Sequence, residues 1–324
     1  MKKLFLSAAF LAASLASQAQ QAPLWMRYPA ISPDGKTIVF SYKGDIYSVP
    51  ATGGEARQLT TNAAHDSYPI WSPDGKKIAF ASNREGSFDV YVMSAHGGAP
   101  TRITTNSERE IPVAFKDNDH VLFSANIMPT AESNLFASRE FSQVYEVSTQ
   151  GGRPKLYSVI PMEDISINAK GQVLYHDSKG YEDPWRKHHT SPITRDIWML
   201  DNGKYQKITA FKGEDRTPVW AADGESFYYL SEQAGSFNIY HRNIATGKDV
   251  QLTHEKKNPI RFLTSSADGL LCYGYDGEIY TVKEGAQPQK VNISITADND
   301  EPSLVRQVRS WGATEIALSP DAKE

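Results

Sequence analysis

A segment of about a dozen residues occurs twice near the start of the chain, forty positions apart. Tyr28-Pro29-Ala30-Ile31-Ser32-Pro33-Asp34-Gly35-Lys36-Thr37-Ile38-Val39-Phe40 is echoed by Tyr68-Pro69-Ile70-Trp71-Ser72-Pro73-Asp74-Gly75-Lys76-Lys77-Ile78-Ala79-Phe80. Weaker copies are Thr217-Pro218-Val219-Trp220-Ala221-Ala222-Asp223-Gly224 and Ser265-Ser266-Ala267-Asp268-Gly269. A second element recurs six times downstream: Asp45-Ile46-Tyr47, Asp89-Val90-Tyr91, Gln143-Val144-Tyr145, Asp196-Ile197-Trp198, Asn238-Ile239-Tyr240 and Glu278-Ile279-Tyr280. A third closes each unit, as in Gln58-Leu59-Thr60, Arg102-Ile103-Thr104, Lys207-Ile208-Thr209 and Gln251-Leu252-Thr253, with Lys155-Leu156 and Lys290-Val291 as shorter forms.

Each piece has a mechanical reading. In Ser-Pro-Asp-Gly the proline presets φ at the first corner, the aspartate caps the turn and the glycine takes a positive φ. The flanking segments alternate apolar and polar residues, as half-buried strands do. Gly53-Gly54, Gly97-Gly98 and Gly151-Gly152 mark a tight turn before the last strand. Four short antiparallel strands per unit cannot bury both of their faces alone, whereas radial stacking buries them and a closed ring protects the edges. The expected fold class is therefore all-β, a six-bladed β-propeller of four-stranded antiparallel blades over residues 26–296.

Composition agrees with a large globular domain: 324 residues, 22% charged, 40% hydrophobic, net charge −4. No basic run or basic helix points to nucleic acid. Lys2 and Lys3 precede an apolar stretch, Leu4 to Leu15, too short for a stable membrane anchor, and Ser17-Gln18-Ala19 offers small residues for a signal peptidase. Residues 1–19 are expected to be a signal peptide, the protein exported to the periplasm or cell exterior, and no span to remain after cleavage. The single cysteine, Cys272, lies in the strand-like Leu270-Leu271-Cys272-Tyr273 and reads as a buried structural thiol.

The three-part repeat resembles the WD40-like PD40 blades of the TolB propeller and of tricorn protease homologues, across essentially the whole mature chain. Two features favour the tricorn type. Gly180-Tyr181-Glu182-Asp183-Pro184-Trp185-Arg186-Lys187-His188-His189-Thr190 through Trp198 looks like a characteristic stretch of the tricorn-type first propeller. Gly312-Ala313-Thr314 through Ser319-Pro320-Asp321 starts a further PD40 unit that stops inside its turn at Glu324. On that reading residues 297–311 are a linker and 312–324 the start of a second propeller; alternatively, residues 313–319 are a strand that completes the ring against blade 1. The resemblance implies a parent chain with a second propeller, a PDZ domain and an S41-type serine peptidase domain, with this propeller channelling peptides to or from the catalytic domain. The alternative is a stand-alone TolB-like protein-binding propeller, and a third is a carbohydrate-active propeller with histidines holding a metal at the rim.

No catalytic residues are assigned. The chain has no Gly-x-Ser-x-Gly elbow, no His-Glu-x-x-His, no Walker loop and no dinucleotide fingerprint. Glu85-Gly86-Ser87-Phe88-Asp89 and Ala234-Gly235-Ser236-Phe237-Asn238 recur at equivalent places in two blades and read as hairpin turns. The densest polar constellation is His176-Asp177, Glu182-Asp183 and Arg186-Lys187-His188-His189. Adjacent histidines on a strand point to opposite faces, and Arg186 and Lys187 repel a cation, so neither a metal nor another cofactor is assigned. Trp185, Glu182, Asp183, Arg186, Lys187, His188 and His189 are the peptide-binding or channel-rim candidates, with Trp185 as anchor and Arg186 or Lys187 as partner of a peptide carboxylate. The plainer alternative is that these charges only pair among themselves. A second long insertion, residues 127–140, interrupts blade 3. Trp71 and Trp220 are expected between blades. Expected partners are peptides and the parent's other domains; a homo-oligomer is left open.

Overall fold

The computed structural model describes residues 23–127, 141–180, 190–296 and 320. Six sheets of four antiparallel strands are each assembled in chain order, the short strand Gly54–Glu55 of blade 1 standing outside its sheet. The innermost strands are Arg27–Ile31, Asp66–Trp71, Ile111–Phe115, Met162–Ile167, Asp215–Trp220 and Arg261–Ser265, for blades 1 to 6. The β-propeller with four-stranded blades is thus as the repeats require.

The repeated sequence pieces have repeated jobs. In blade 1, Ser32 Oγ donates to Asp34 Oδ1 (2.6 Å), Lys36 N–H donates to the same oxygen (3.1 Å), and Thr37 N–H donates to Ser32 Oγ (3.0 Å). Ser72 and Asp74 repeat this lattice in blade 2, and Ser266 and Asp268 repeat its serine–aspartate bond in blade 6. Gly35 and Gly75 take φ of 71° and 68°, a region closed to most other residues. The Asp…Thr spacing is a clamp between the third and fourth strands. Thr60 Oγ1 accepts from Ile46 N–H (2.9 Å) while donating to Asp45 (3.0 Å). Thr104, Thr209 and Thr253 accept from Val90, Ile197 and Ile239 in the same way, at 2.8–2.9 Å.

The core is divided into six apolar clusters, and each spans one blade-to-blade interface. Trp71 and Trp220 sit in two of them, and their indole N–H groups donate across the interface to Ala30 O (2.9 Å) and Ser166 O (3.1 Å) of the preceding blade. Cys272 is fully buried between blades 6 and 1, and burial drives its thiol pKa far upward, so it is a packing residue. Ser87 and Ser236, in the paired glycine-serine turns, donate to the carbonyls of Asn106 (3.1 Å) and Asn258 (3.2 Å) and are held as turn hydroxyls.

Among the described residues, the ring is joined beyond blade 6 by one short strand, and the expected linker 297–311 and the 313–319 strand lie outside them. The strand Ile293–Ser294, just after blade 6, pairs in parallel with Gly54–Glu55 at the outer edge of blade 1. Gly53 is required there: a Cβ on it would lie 2.6 Å from Asn292 O. Inside the ring, Ile31 N–H donates to Thr264 Oγ1 (3.2 Å) and Ala267 N–H to Pro33 O (2.9 Å), and one cluster from Met26 to Ile295 fills the seam.

Candidate functional site at the channel mouth

All six inner strands line one central cavity of about 800 Å³. Each carries a bulge one or two residues after its start. At the bulge, five of the six blades place a non-glycine residue in the left-handed region: Tyr28 (φ 52°), Tyr68 (57°), Asp164 (49°), Thr217 (50°) and Phe262 (61°). Blade 3 has Pro112 at that register, and a proline ring cannot adopt positive φ. Such conformations cost about 1–3 kcal/mol each and persist only where the surroundings enforce them. Five at one register make a ring of residues around the channel at the end where the chain enters each blade.

The two sides of this ring differ. In blades 6, 1 and 2 it is aromatic. Tyr28 lies 4.0 Å from Tyr68 and 4.7 Å from Phe262, centroid to centroid, and Tyr28 OH donates to Tyr68 OH (3.0 Å). Arg109 donates to Tyr68 OH (3.1 Å) and lies over the rings of Tyr68 and Phe88 (5.7 and 5.6 Å). In blades 4 and 5 the ring is polar. His176 is 3% exposed, on the second strand of blade 4. Its Nδ1 accepts from Thr217 N–H (3.3 Å), leaving Nε2–H to donate to Glu163 Oε2 (3.1 Å). Thr217 Oγ1 donates to Asp164 Oδ2 (2.6 Å), joining the two blades. Behind this pair, Arg195 reaches both Glu163 (3.6 Å) and buried Glu214 (3.1 Å), and Arg216 donates to the same Glu214 oxygen. Glu232 Oε1 in turn accepts from Glu214 N–H (2.9 Å).

The electrostatics follow from these contacts. Burial works to raise the Glu163 pKa, but the hydrogen bond from His176 and the Arg195 guanidinium outweigh it and hold the carboxyl at about 2. A layer further back, a buried acid opens or immediately precedes three inner strands: Asp66, Glu110 and Asp215. Their N–H groups donate to the preceding blade at Gly44, Phe88 and Arg195 carbonyls (2.7–3.0 Å), which fixes the strand starts. Asp66 is neutralised by Arg84 (2.6 Å). Burial pushes Asp215 up to about 6 and, with Asp89 beside it, Glu110 up to about 7. Among the described residues, no group of three or more His, Cys, Asp and Glu is arranged to hold a metal ion.

The sequence-chosen rim residues Glu182, Asp183, Trp185, Arg186, Lys187, His188 and His189 lie outside the described residues. The stems of their loop are described: Lys179 Nζ donates to Thr194 O and to Asp196 (both 2.5 Å). The structure separates His176 from Asp177. His176 faces the channel, while Asp177 accepts from Asp196 N–H (2.8 Å) and the Trp198 indole (3.0 Å) inside the blade. The ring itself is not evident in the sequence. Its trace there is the residue before proline in Tyr28-Pro29, Tyr68-Pro69 and Thr217-Pro218.

Residues 23–288 match the family described as the tricorn protease N-terminal beta propeller domain. The chain belongs to that family. Its fold is similar to the crystal structure of tricorn protease (TM-score 0.69, 20% identity), covering 83% of this chain and 26% of that one. TolB from Acinetobacter baumannii is similar at TM-score 0.58 and 16% identity, covering 80% of this chain and 61% of TolB. An oligogalacturonate lyase from Vibrio parahaemolyticus reaches 0.51 and 16%, covering 83% and 77%. No curated protein sequence matches the chain. At these identities the solved structures speak for the fold alone.

Proposed function

We propose that this tricorn-type propeller is the N-terminal part of an exported S41-type serine peptidase, and that its bore passes peptides to or from a catalytic domain elsewhere in the parent. The observation that carries the reading is an open cavity of about 800 Å³ lined by all six inner strands of a tricorn N-terminal propeller. A bore lined by Ala30, Ile70, Ala114, Val219 and the ring residues offers apolar and polar contacts to an extended chain. Hydrolysis is assigned to the parent's peptidase domain, and the propeller supplies access. The rim residues Trp185, Arg186 and Lys187 belong to the same proposal, since in the sequence they fall between His176 and the next strand of blade 4.

The experiment is to purify the parent from its natural source through an antibody to this propeller and assay cleavage of unstructured peptides. Activity that co-purifies, and that an Ala114→Trp plug slows more for long peptides than for dipeptides, supports the reading. A parent without peptidase activity contradicts it.

A further inference from the structure

We propose that the carboxylate of Asp164 is a docking point for a primary ammonium group, the free amino terminus of an unstructured peptide. The inference rests on the peptide-passing reading above and adds which end of the peptide the mouth recognises.

Four observations carry it. First, Asp164 occupies the ring position with a left-handed backbone (φ 49°), the register shared with Tyr28, Tyr68, Thr217 and Phe262 around the cavity. Second, its side chain stays 48% exposed, and its contacts within the described residues are the Thr217 hydroxyl (2.6 Å) and His176 (3.5 Å) on the same oxygen, Oδ2. Because His176 Nδ1 already accepts from Thr217 N–H, the imidazole has no proton on that side to give Asp164. Third, the other charges of this wall are committed: Glu163 to His176 and Arg195, and Glu214 to Arg195 and Arg216. Asp164 therefore has its Oδ1 open to an incoming donor. Fourth, in a six-membered ring blade 4 stands opposite blade 1, so Asp164 faces the Tyr28–Tyr68–Phe262 surface across the cavity. A carboxylate opposite aromatic faces suits a cation carried on an apolar body, because ring faces attract positive charge and cover hydrocarbon. An α-ammonium with its first side chain has that composition.

The competing ligand end is a carboxylate, for which Arg27, Arg216 and Arg261 share the register just before the ring in blades 1, 5 and 6. Arg216 is tied to Glu214, and Arg27 and Arg261 each already interact with other groups, which favours the ammonium.

The test is isothermal titration of the purified chain with Leu-Ala-Leu-Ala-Leu in three forms: free, N-acetylated and C-amidated. The expected result is that acetylation weakens binding about tenfold or more while amidation changes it less than about threefold. Asp164→Asn should bring the free and acetylated peptides within about twofold of each other. Asparagine tolerates the left-handed conformation, so the variant should keep the wild-type melting temperature within a few degrees. Thr217→Val, which removes the hydroxyl that aims Asp164, should reduce the preference without abolishing it. Equal binding of free and acetylated peptide overturns the inference. If amidation is what weakens binding, the arginines read the carboxylate, and the peptide reading survives without this one. If none of the three peptides binds, the peptide reading falls, and the inference with it.

Discussion

The aromatic and the polar halves of the channel mouth stand on the same backbone device and are stabilised by different physics. Tyr28 and Asp164 occupy equivalent bulges with φ of 52° and 49°. The first is held by ring contacts and one hydroxyl bond, in a half-buried apolar patch. The second is held by a chain of hydrogen bonds and ion pairs running from Thr217 through His176, Glu163 and Arg195 to Glu214. Dispersion and area burial change smoothly when a side chain is trimmed. A buried charge network does not, because removing one member leaves another charged and without its partner in low dielectric.

The largest test of that contrast is Glu214→Ala. It removes the shared partner of Arg195 and Arg216 at a fully buried position and should destabilise the chain by about 3–5 kcal/mol in denaturant titration. A cost below about 1 kcal/mol would mean that the network is an ornament on a rigid ring.

Next comes pH. Asp215 is raised from 3.8 to about 6, so its contribution to stability is complete below pH 3.8 and is lost as pH rises through 6. The loss is on the order of 2–3 kcal/mol for a group this buried. Glu163 has the opposite sign: lowered from 4.5 to about 2, its contribution is present above pH 4.5 and is lost as pH falls toward 2. Asp215→Asn should flatten stability between about pH 4 and 6, and Glu163→Gln should flatten it below pH 4.5. Thermal melts across that range separate the two, and an unchanged profile in Asp215→Asn would break the assignment.

On the aromatic side the effects are smaller. Tyr28→Ala should cost about 2 kcal/mol, less than a fully buried aromatic, because Tyr28 is half-buried. Tyr28→Phe removes only the bond to Tyr68 OH and should cost about 1 kcal/mol or less. Neither should change the pH profile below pH 6. If Tyr28→Ala cost as much as Glu214→Ala, the two halves would not differ in kind.

Much of this architecture is legible in the sequence because its repeats are local. Ser32, Asp34 and Gly35 bond within one turn, and Asp45 reaches Thr60 within one hairpin, so spacing alone reveals them. Trp71 and Trp220 are legible for a related reason: a large apolar side chain at a repeated register has to pack between repeats. The mouth is different. Glu163, Asp164, His176, Arg195 and Thr217 come from two blades and from positions where the repeat is weakest, and pairs such as Asp164 and Thr217 are 53 residues apart. A repeat unit shows what its copies have in common; the site consists of what they do not share. The polar run 182–189 stands out in the sequence because its residues are contiguous, whereas the residues that meet at the described mouth are not.

The most direct measurement is photo-crosslinking of the intact protein with an unstructured peptide carrying a benzophenone side chain at its second position, followed by mass spectrometry. Adducts concentrated on the inner strands, at Tyr28, Tyr68, Asp164, Thr217 and Phe262, are the predicted result. Adducts confined to the outer strands, or to the separate cavity beside Asp34 and Asp74 at the opposite end of blades 1 and 2, would contradict a peptide-reading channel mouth.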